Sequence, residues 1–470
     1  HTDHQYGRLF QFLKDIGEWE NTLIMFISDN GASAEGGPTG SVNENKFFNN
    51  VPDSLEQNLA AIDDIGGPKY YNHYPWGWTF AGNTPFKRWK RETYRGGVSD
   101  PFIVHWPKGI KSKGEIREQY AHAIDMVPTV LEALDLEPPT VINGITQSPI
   151  QGNSFAHTFN DGKADSSHEV QYFEMMGHRS IYHNGWRAVC PWPGESFTEA
   201  GMGFGAPITA DKLTELDATA WELYDLTKDP TEMNNLAKEN KAKLIEMISQ
   251  WYIEAGKYNV LPIDSRGVER LAEPRPQIAL PRTKYTYYPG TQPVPSNASV
   301  NILNRTHTIT VDAEIPEDGA EGVLMSMGGC DGGYTLFIKD NKLQYGYNYV
   351  TAEYFYVKST EDVPAGRHNF RFEFEVTGKP DFANGKGSPG KAQLYIDDKL
   401  VGESDFPYTI PFSIGLGASI AVGADPGSPT IPDYDPPFDF TGKIYKAIID
   451  VSGELIEDHE VALKNVMARQ

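Results

Sequence analysis

Two hydrophobic periodicities divide the chain. In its first part apolar positions recur every three to four residues, as at 6–16 and 244–255, which predicts amphipathic helices. Beyond residue 293, apolar and polar residues alternate, as at 307–315 and 369–375. Alternation broken by Gly and Pro turns predicts antiparallel strands of a β-sandwich.

These patterns predict three regions. Residues 1–265 read as an α/β domain, 266–293 as a Pro-rich linker and 294–470 as an all-β jelly-roll sandwich. The first helical pattern, at 6–16, has no strand before it. Because such a helix is normally one half of a β-α unit, we expect the N-terminal strands of the α/β domain to be missing from the chain.

The apolar run at residues 23–27 ends abruptly in Ser28-Asp29-Asn30-Gly31. An uncharged run of β-forming residues predicts a fully buried strand of a parallel sheet, and ligands bind beyond the carboxyl ends of such strands. The Asp29 carboxylate and the Asn30 amide oxygen suit a hard divalent cation. Asp-Asn-Gly is also an ordinary turn sequence, so both interpretations stay open on these residues alone.

A long polar and aromatic insertion follows at residues 36–83. Its segment 70–78 contains six aromatic rings in nine residues, counting His73. This density predicts a substrate wall for an aromatic or sugar ligand, with His73 as a binding residue. A cluster that simply covers the sheet is an equal alternative.

Residues 84–97 contain five cationic side chains, among them Lys87 and Lys90, in a chain of net charge −23. A local positive segment on an acidic protein attracts an anion, although a charge run is often just a solvated face. The net charge argues against a nucleic-acid partner. No apolar run reaches the length of about 20 residues that spans a bilayer. Cys190 and Cys330 are the only cysteines, so no disulfide framework is predicted.

Several motifs, in this order, resemble the arylsulfatases, which form the sulfatase family of the alkaline-phosphatase-like superfamily. They are residues 23–31, 84–90, 93–101 and 221–226, followed by Asp229-Pro230 and Asn235-Leu236-Ala237. The resemblance covers about residues 1–265 and implies the C-terminal part of a sulfatase domain. The sandwich beyond it is similar to concanavalin-like and laminin-G-like folds.

The resemblance also implies a site. By position, Asp29 and Asn30 would be two ligands of a Ca²⁺ ion, and Lys90 would be the catalytic lysine that binds the sulfate oxygens. Lys87 is the obvious competing assignment for that lysine. The implied substrate is a small-molecule or carbohydrate sulfate ester, and the implied location is the periplasm or exterior of a bacterium.

In that family the nucleophile is a formylglycine made within a Cys/Ser-x-Pro-x-Arg motif. This chain has no such motif at Cys190, at Cys330 or at Ser99-Asp100-Pro101. We therefore expect the chain to be inactive alone, and the sulfatase prediction concerns the intact parent protein. The alternatives are phosphonate or phosphate ester hydrolysis, and carbohydrate binding by a protein with a degenerate hydrolase domain.

Overall fold

The computed structural model describes residues 1–192, 208–265 and 282–458. The helices are α1 Thr2–Asp15, α2 Asn45–Phe48, α3 Leu55–Ala60, α4 Trp76–Asn83, α5 Arg95–Val98, α6 Met126–Ala133, α7 Ala210–Thr219 and α8 Lys241–Lys257. No helix in these ranges combines the length and the apolar character needed to cross a membrane.

The strands fall into a mixed first set and a long second set. The first set is β1 Ile24–Ile27, β2 Phe102–His105, β3 Val141–Ile142, β4 Ile145–Thr146, β5 Val170–Met175, β6 His178–His183, β7 Trp186–Cys190 and β8 Glu222–Asp225. The second is β9 Lys284–Tyr287, β10 Val294–Pro295, β11 His307–Ile315, β12 Gly322–Gly329, β13 Gly332–Lys339, β14 Lys342–Tyr349, β15 Glu353–Lys358, β16 Gly366–Val376, β17 Gly390–Ile396, β18 Lys399–Phe406, β19 Ser419–Val422 and β20 Lys443–Asp450.

The chain forms two compact units. The first consists of His1–Ser33 and Thr79–Arg266, and the second of Ala34–Trp78 and Gly267–Gln470. Helices and small sheets make up the first unit, and two large antiparallel sheets dominate the second. The predicted fold class, an α/β region followed by an all-β region, is confirmed.

The first unit contains a four-stranded antiparallel sheet in the order β5-β6-β7-β8. Helix α8 packs on it through fully buried Met247 and Trp251. The turn between β6 and β7 has positive φ at both Asn184 (48°) and Gly185 (82°). Because a type I′ turn needs positive φ at both central residues, the Asn-Gly pair favours the hairpin here, as the sequence predicts.

The prediction of a fully buried parallel strand at residues 23–27 is wrong. Strand β1 pairs antiparallel with β2, with Ile24 opposite His105. Phe26 and Ile27 are 37% and 39% exposed, and the ring of Tyr6 in α1 lies edge-on to Phe26 at 5.0 Å. An apolar run predicts a buried environment, but it does not specify the direction of the neighbouring strand or the element that covers the run.

The second unit is a β-sandwich. Its two six-stranded sheets have the orders β10-β19-β12-β13-β14-β15 and β18-β17-β16-β11-β20-β9, and every pairing within them is antiparallel. Residues of both sheets share one apolar core, in which Tyr345 of β14 stacks on Phe372 of β16 with ring centroids 3.5 Å apart. Such aromatic contacts between the inner faces of the two sheets stabilise their face-to-face packing.

Residues 36–78 of the insertion are part of this second unit and residues 79–83 are part of the first, although the sequence assigns the whole insertion to the α/β domain. Val51 belongs to the sandwich core, and two short helices, α2 and α3, lie within residues 34–78. The predicted linker 266–293 lies partly outside the described residues. Its described part includes β9, which pairs with β20. The domain bounds at 265 and 294 stay predictions.

Candidate anion and cation site

The Asp29-Asn30 turn packs directly on the Gly96-Gly97 pair. The backbone N–H of Gly31 donates to the Gly97 carbonyl at 3.2 Å, and a Cβ on Gly31 would collide with the Gly96 carbonyl oxygen. Glycine is required where two backbones approach this closely. The Asp-Asn-Gly and Gly-Gly motifs, 65 residues apart in sequence, therefore form one contact.

Lys90 lies on the segment beside this turn. Its backbone N–H donates to the Ala32 carbonyl at 3.1 Å. The Asn83 side chain joins the two segments, because its Oδ1 accepts from the Ala32 N–H at 2.9 Å and its Nδ2 donates to the Arg88 carbonyl at 2.8 Å. The structure thus brings the Asp29-Asn30 turn and the backbone of Lys90 together.

The turn offers oxygen donors in a negative environment. The Asn30 Nδ2 donates to the Gly31 carbonyl at 3.0 Å, so its Oδ1 is the atom left for a cation. Burial and the nearby Asp29 charge raise the pKa of the Asp100 carboxyl to about 6. A carboxylate and an amide oxygen fit Ca²⁺, but two protein ligands are fewer than the six to eight oxygens that it takes.

Lys87 is engaged in a structural network. Its Nζ lies 3.2 Å from Glu222 Oε2 and 2.7 Å from the Tyr224 hydroxyl, both on β8. The ammonium also lies 4.4 Å from the centre of the Tyr94 ring, within the range of a cation–π contact. These contacts account for Lys87 as a structural residue. The Trp-Glu-Leu-Tyr-Asp motif therefore holds the Lys87 ammonium, a role that the sequence did not reveal.

A buried ion pair holds the Thr-Tyr-Arg-Gly-Gly segment from the other side. Arg187 Nε lies 2.9 Å from Glu232 Oε1, and both side chains are at most 2% exposed. Arg187 also donates to the Thr93 carbonyl, and Glu232 Oε2 accepts from the Arg95 N–H at 2.8 Å. Sequence reasoning missed both residues, because nothing local marks a charge that is buried against a loop 94 residues away.

His73 belongs to the second unit, whereas Asp29, Asn30 and Lys90 belong to the first. Ligand atoms of Glu35, Glu44 and His73 lie within 4.8 Å of one another, the one such group of three found among the described residues. His73 Nδ1 lies 3.0 Å from the Tyr74 carbonyl. Two carboxylates and an imidazole at this spacing can bind hydroxyl or amine groups of a ligand. The sequence drew attention to His73 but not to the two glutamates.

Neither cysteine fits a modified nucleophile. Cys190 is fully buried, lies 3.3 Å from Arg179 Nη2 and has its pKa raised to about 11 by burial. Burial likewise raises the pKa of Cys330. Since the thiolate is the reactive form, burial makes both thiols weak nucleophiles in the folded chain.

The first unit is thus an α/β region in which the Asp29-Asn30 turn offers oxygen ligands to a cation and residues 84–97 supply positive charge. Together, a bound cation and these side chains could stabilise an anionic, oxygen-rich ester. Residues 1–136 match the family model described as Sulfatase. The chain therefore carries a sulfatase-family region.

Curated relatives agree with this assignment. An uncharacterised sulfatase of Schizosaccharomyces pombe is 28% identical over 264 residues, covering 55% of this chain and 42% of the relative. The arylsulfatase of Klebsiella aerogenes is 28% identical over 137 residues, covering 29% and 28%. The N-acetylglucosamine-6-O-sulfatase of Bacteroides thetaiotaomicron is 24% identical over 283 residues, covering 58% and 38%. The chain thus spans less than half the length of these relatives.

Proposed function

We propose that the natural full-length protein is an arylsulfatase-type sulfuric ester hydrolase that uses Ca²⁺. The observation that carries this proposal is the backbone contact of the Asp29-Asn30-Gly31 turn and Ala32 with Gly97 and Lys90. It supports the proposal because two residue types suited to a cation lie beside a cationic segment in a sulfatase-family region. Asp29 and Asn30 would supply two of the cation's oxygen ligands. When bound, the cation would stabilise negative charge on the sulfate oxygens.

The chain's own residues have separate roles. The Lys90 ammonium binds a sulfate oxygen and offsets the charge that grows on the leaving oxygen as the S–O bond breaks. Lys87, already paired with Glu222, supports the loop instead. His73, with Glu35 and Glu44 beside it in the second unit, is proposed separately as a residue that binds substrate. No residue of this chain is assigned the role of nucleophile.

The similarity to an N-acetylglucosamine-6-O-sulfatase supports carbohydrate sulfates as substrates to test beside aryl sulfates. An extracytoplasmic location in a bacterium is part of the same proposal. The first measurement is turnover of 4-nitrophenyl sulfate by this chain and by the full-length protein, each with Ca²⁺ and with a chelator. Activity is expected in the full-length protein with Ca²⁺.

Two substitutions test the assigned residues in the full-length protein. Asp29→Ala and Lys90→Ala should each lower kcat/KM by about 100-fold or more, the scale of losing one charge-stabilising group. Lys108→Ala is the matched control, because Lys108 is an exposed lysine on the same unit. Turnover of 4-nitrophenyl phosphate without turnover of the sulfate would overturn the proposal.

A further inference from the structure

Three asparagines of the insertion are buried against the sandwich. Asn43, Asn45 and Asn49 are all 0% exposed. Their partners lie in three connections of the sandwich: the β12–β13 turn at Asp331, the β14–β15 turn at Val350 and the β18–β19 connection at Ser413. Buried amides are expensive unless they are hydrogen-bonded, and here each amide meets backbone groups.

Asn43 and Asn45 act as donors. Asn43 Nδ2 lies 2.8 Å from the Val350 carbonyl and 3.2 Å from the Asp331 carbonyl. Asn45 Nδ2 lies 3.0 Å from the Asp331 carbonyl and 3.1 Å from those of Ser413 and Ile414. These four carbonyls lie in connections just outside the named strands, and the insertion supplies hydrogen-bond donors to them.

The Asn49 side chain both accepts and donates hydrogen bonds. Its Oδ1 accepts from the N–H groups of Phe412 and Ser413 at 3.0 and 2.9 Å. Its Nδ2 donates to the Ser413 carbonyl at 2.8 Å and to the Asn45 carbonyl at 2.9 Å. The side chain therefore pairs with the sandwich as a neighbouring peptide group would.

The turn that Asn43 contacts is strained. Val350 and Thr351 have φ of 44° and 61°, values that are costly for β-branched residues. Asn43 donates to the Val350 carbonyl and the Thr351 hydroxyl. A strained turn persists only when its surroundings fix it, so the contacts of Asn43 help to hold this turn of the sandwich in place.

The same asparagines flank a residue of the candidate substrate group. Glu44 stands between Asn43 and Asn45, and its N–H donates to the Tyr71 carbonyl at 2.9 Å. Ser41 and His73 exchange both backbone hydrogen bonds at 2.9 Å. A continuous set of contacts thus leads from the sandwich loops through the asparagines to Glu44 and His73.

We propose that the sandwich is the built-in scaffold of the insertion, and that Asn43, Asn45 and Asn49 are positioning residues for Glu44 and His73. The insertion and the sandwich then fold and open as one unit, so the sandwich is not a separable sugar-binding module. The substrate role of Glu44 and His73 rests on the function proposed above. The shared folding does not.

Hydrogen exchange of the unmodified chain tests the shared folding. The N–H groups of Ser41, Glu44 and His73 should open in the same urea-dependent step as those of Phe412 and Ser413. Exchange of the insertion by a separate opening, about tenfold or more faster and insensitive to urea, would overturn the proposal. This experiment needs no variant, so a folding failure cannot obscure it.

Asn45→Asp tests the donor role at almost constant size. A carboxylate would face three carbonyl oxygens, and exchange at Glu44 and His73 should rise about tenfold or more. Asn301→Asp is the matched control, because exposed Asn301 accepts from the Leu303 N–H and an aspartate accepts equally well. If Asn45→Asp does not fold, Asn49→Asp is the milder variant, because it keeps the acceptor for Phe412 and Ser413. Unchanged exchange in the folded variant contradicts the scaffold.

Kinetics in the full-length protein test the positioning role. Asn45→Asp should raise KM by about tenfold while kcat changes much less, since displaced binding residues weaken substrate binding. Unchanged KM together with faster exchange would overturn positioning but keep the scaffold. Absence of sulfatase turnover in the wild type would refute the proposed function, and the exchange experiment would still decide the scaffold.

Discussion

The two units hold their functional loops by different chemistry. In the first unit, the loops around Lys90 are fixed by charged pairs, such as Lys87 with Glu222 and Arg187 with Glu232. In the second unit, the insertion is fixed by the neutral amides of asparagines. The Arg187–Glu232 pair is as buried as the asparagines, and Lys87–Glu222 is partly buried. The main contrast is therefore between charged and neutral groups.

The difference has two physical consequences. A buried charge whose partner is removed keeps its full desolvation penalty, whereas a neutral amide leaves a smaller one. A charged pair also responds to pH through the pKa values of its members, and an amide does not titrate. We therefore expect the first unit to be the more sensitive to single substitutions and to pH.

The largest effect is expected from Arg187→Met. The change leaves Glu232 as a buried carboxylate without its partner, which should lower the free energy of unfolding of the first unit by about 3–5 kcal/mol. Urea unfolding followed by tryptophan fluorescence measures this, because Trp221 and Trp251 are buried in that unit. The double variant Arg187→Met with Glu232→Gln should recover part of the loss, since no unpaired charge remains. A single-variant loss below about 1 kcal/mol would contradict the role given to burial.

The second prediction concerns pH and the buried pair of Asp125 and His168. His168 Nδ1 lies 2.8 Å from Asp125 Oδ2. Burial opposes the charge on His168, but the hydrogen bond and charge of Asp125 outweigh it and raise the His168 pKa. The same pairing, with N–H groups of Asn153 and His122, lowers the Asp125 pKa against its own burial.

The signs follow from linkage. The raised His168 pKa contributes stability below its unfolded value of about 6.5, and that contribution disappears as pH rises through the folded pKa. The lowered Asp125 pKa contributes above about 3.9 and is lost as pH falls through its folded value. The pair should thus contribute most between about pH 4 and 6.5, by about 1.4 kcal/mol for each unit of pKa difference.

The measurement is the difference in unfolding free energy between wild type and His168→Gln across pH 4 to 9. A difference is needed because burial lowers the pKa of His178 in the same unit to about 3, which acts with the opposite sign. The difference should shrink as pH rises above about 6.5. A constant difference would mean that His168 acts only as a neutral hydrogen-bonding group.

Features encoded by neighbouring residues were predictable from the sequence. The β6–β7 hairpin follows from Asn184-Gly185, strand β11 from strict alternation, and helix α8 from its apolar face. The candidate residues Asp29, Asn30 and Lys90 came from motifs, and the roles given to them stay predictions. Local patterns are sufficient in these cases because the physical cause lies within a few residues.

Features that depend on distant partners were not predictable. Asn43 contacts Val350 across 307 residues, and an Asn-Glu-Asn stretch alone indicates only turn chemistry. Lys87 and Lys90 look alike in sequence, and nothing local predicts the contacts of Lys87 with β8. The direction of the strand beside β1 is also non-local. Patterning specifies which faces are apolar, but not which element covers them.

The smallest effect is expected for an exposed ion pair of the first unit, which serves as the contrast to the buried pair of Arg187 and Glu232. Lys212 and Glu215 on α7 form an ion pair at 3.3 Å, with side chains 34% and 61% exposed. Lys212→Ala should change the unfolding free energy of the first unit by about 0.5 kcal/mol or less, because solvent screens an exposed pair and holding two long side chains costs entropy. The same fluorescence assay applies. If Lys212→Ala cost as much as Arg187→Met, charge alone would decide the sensitivity of the first unit; a small effect beside a large one assigns that sensitivity to the burial of charge.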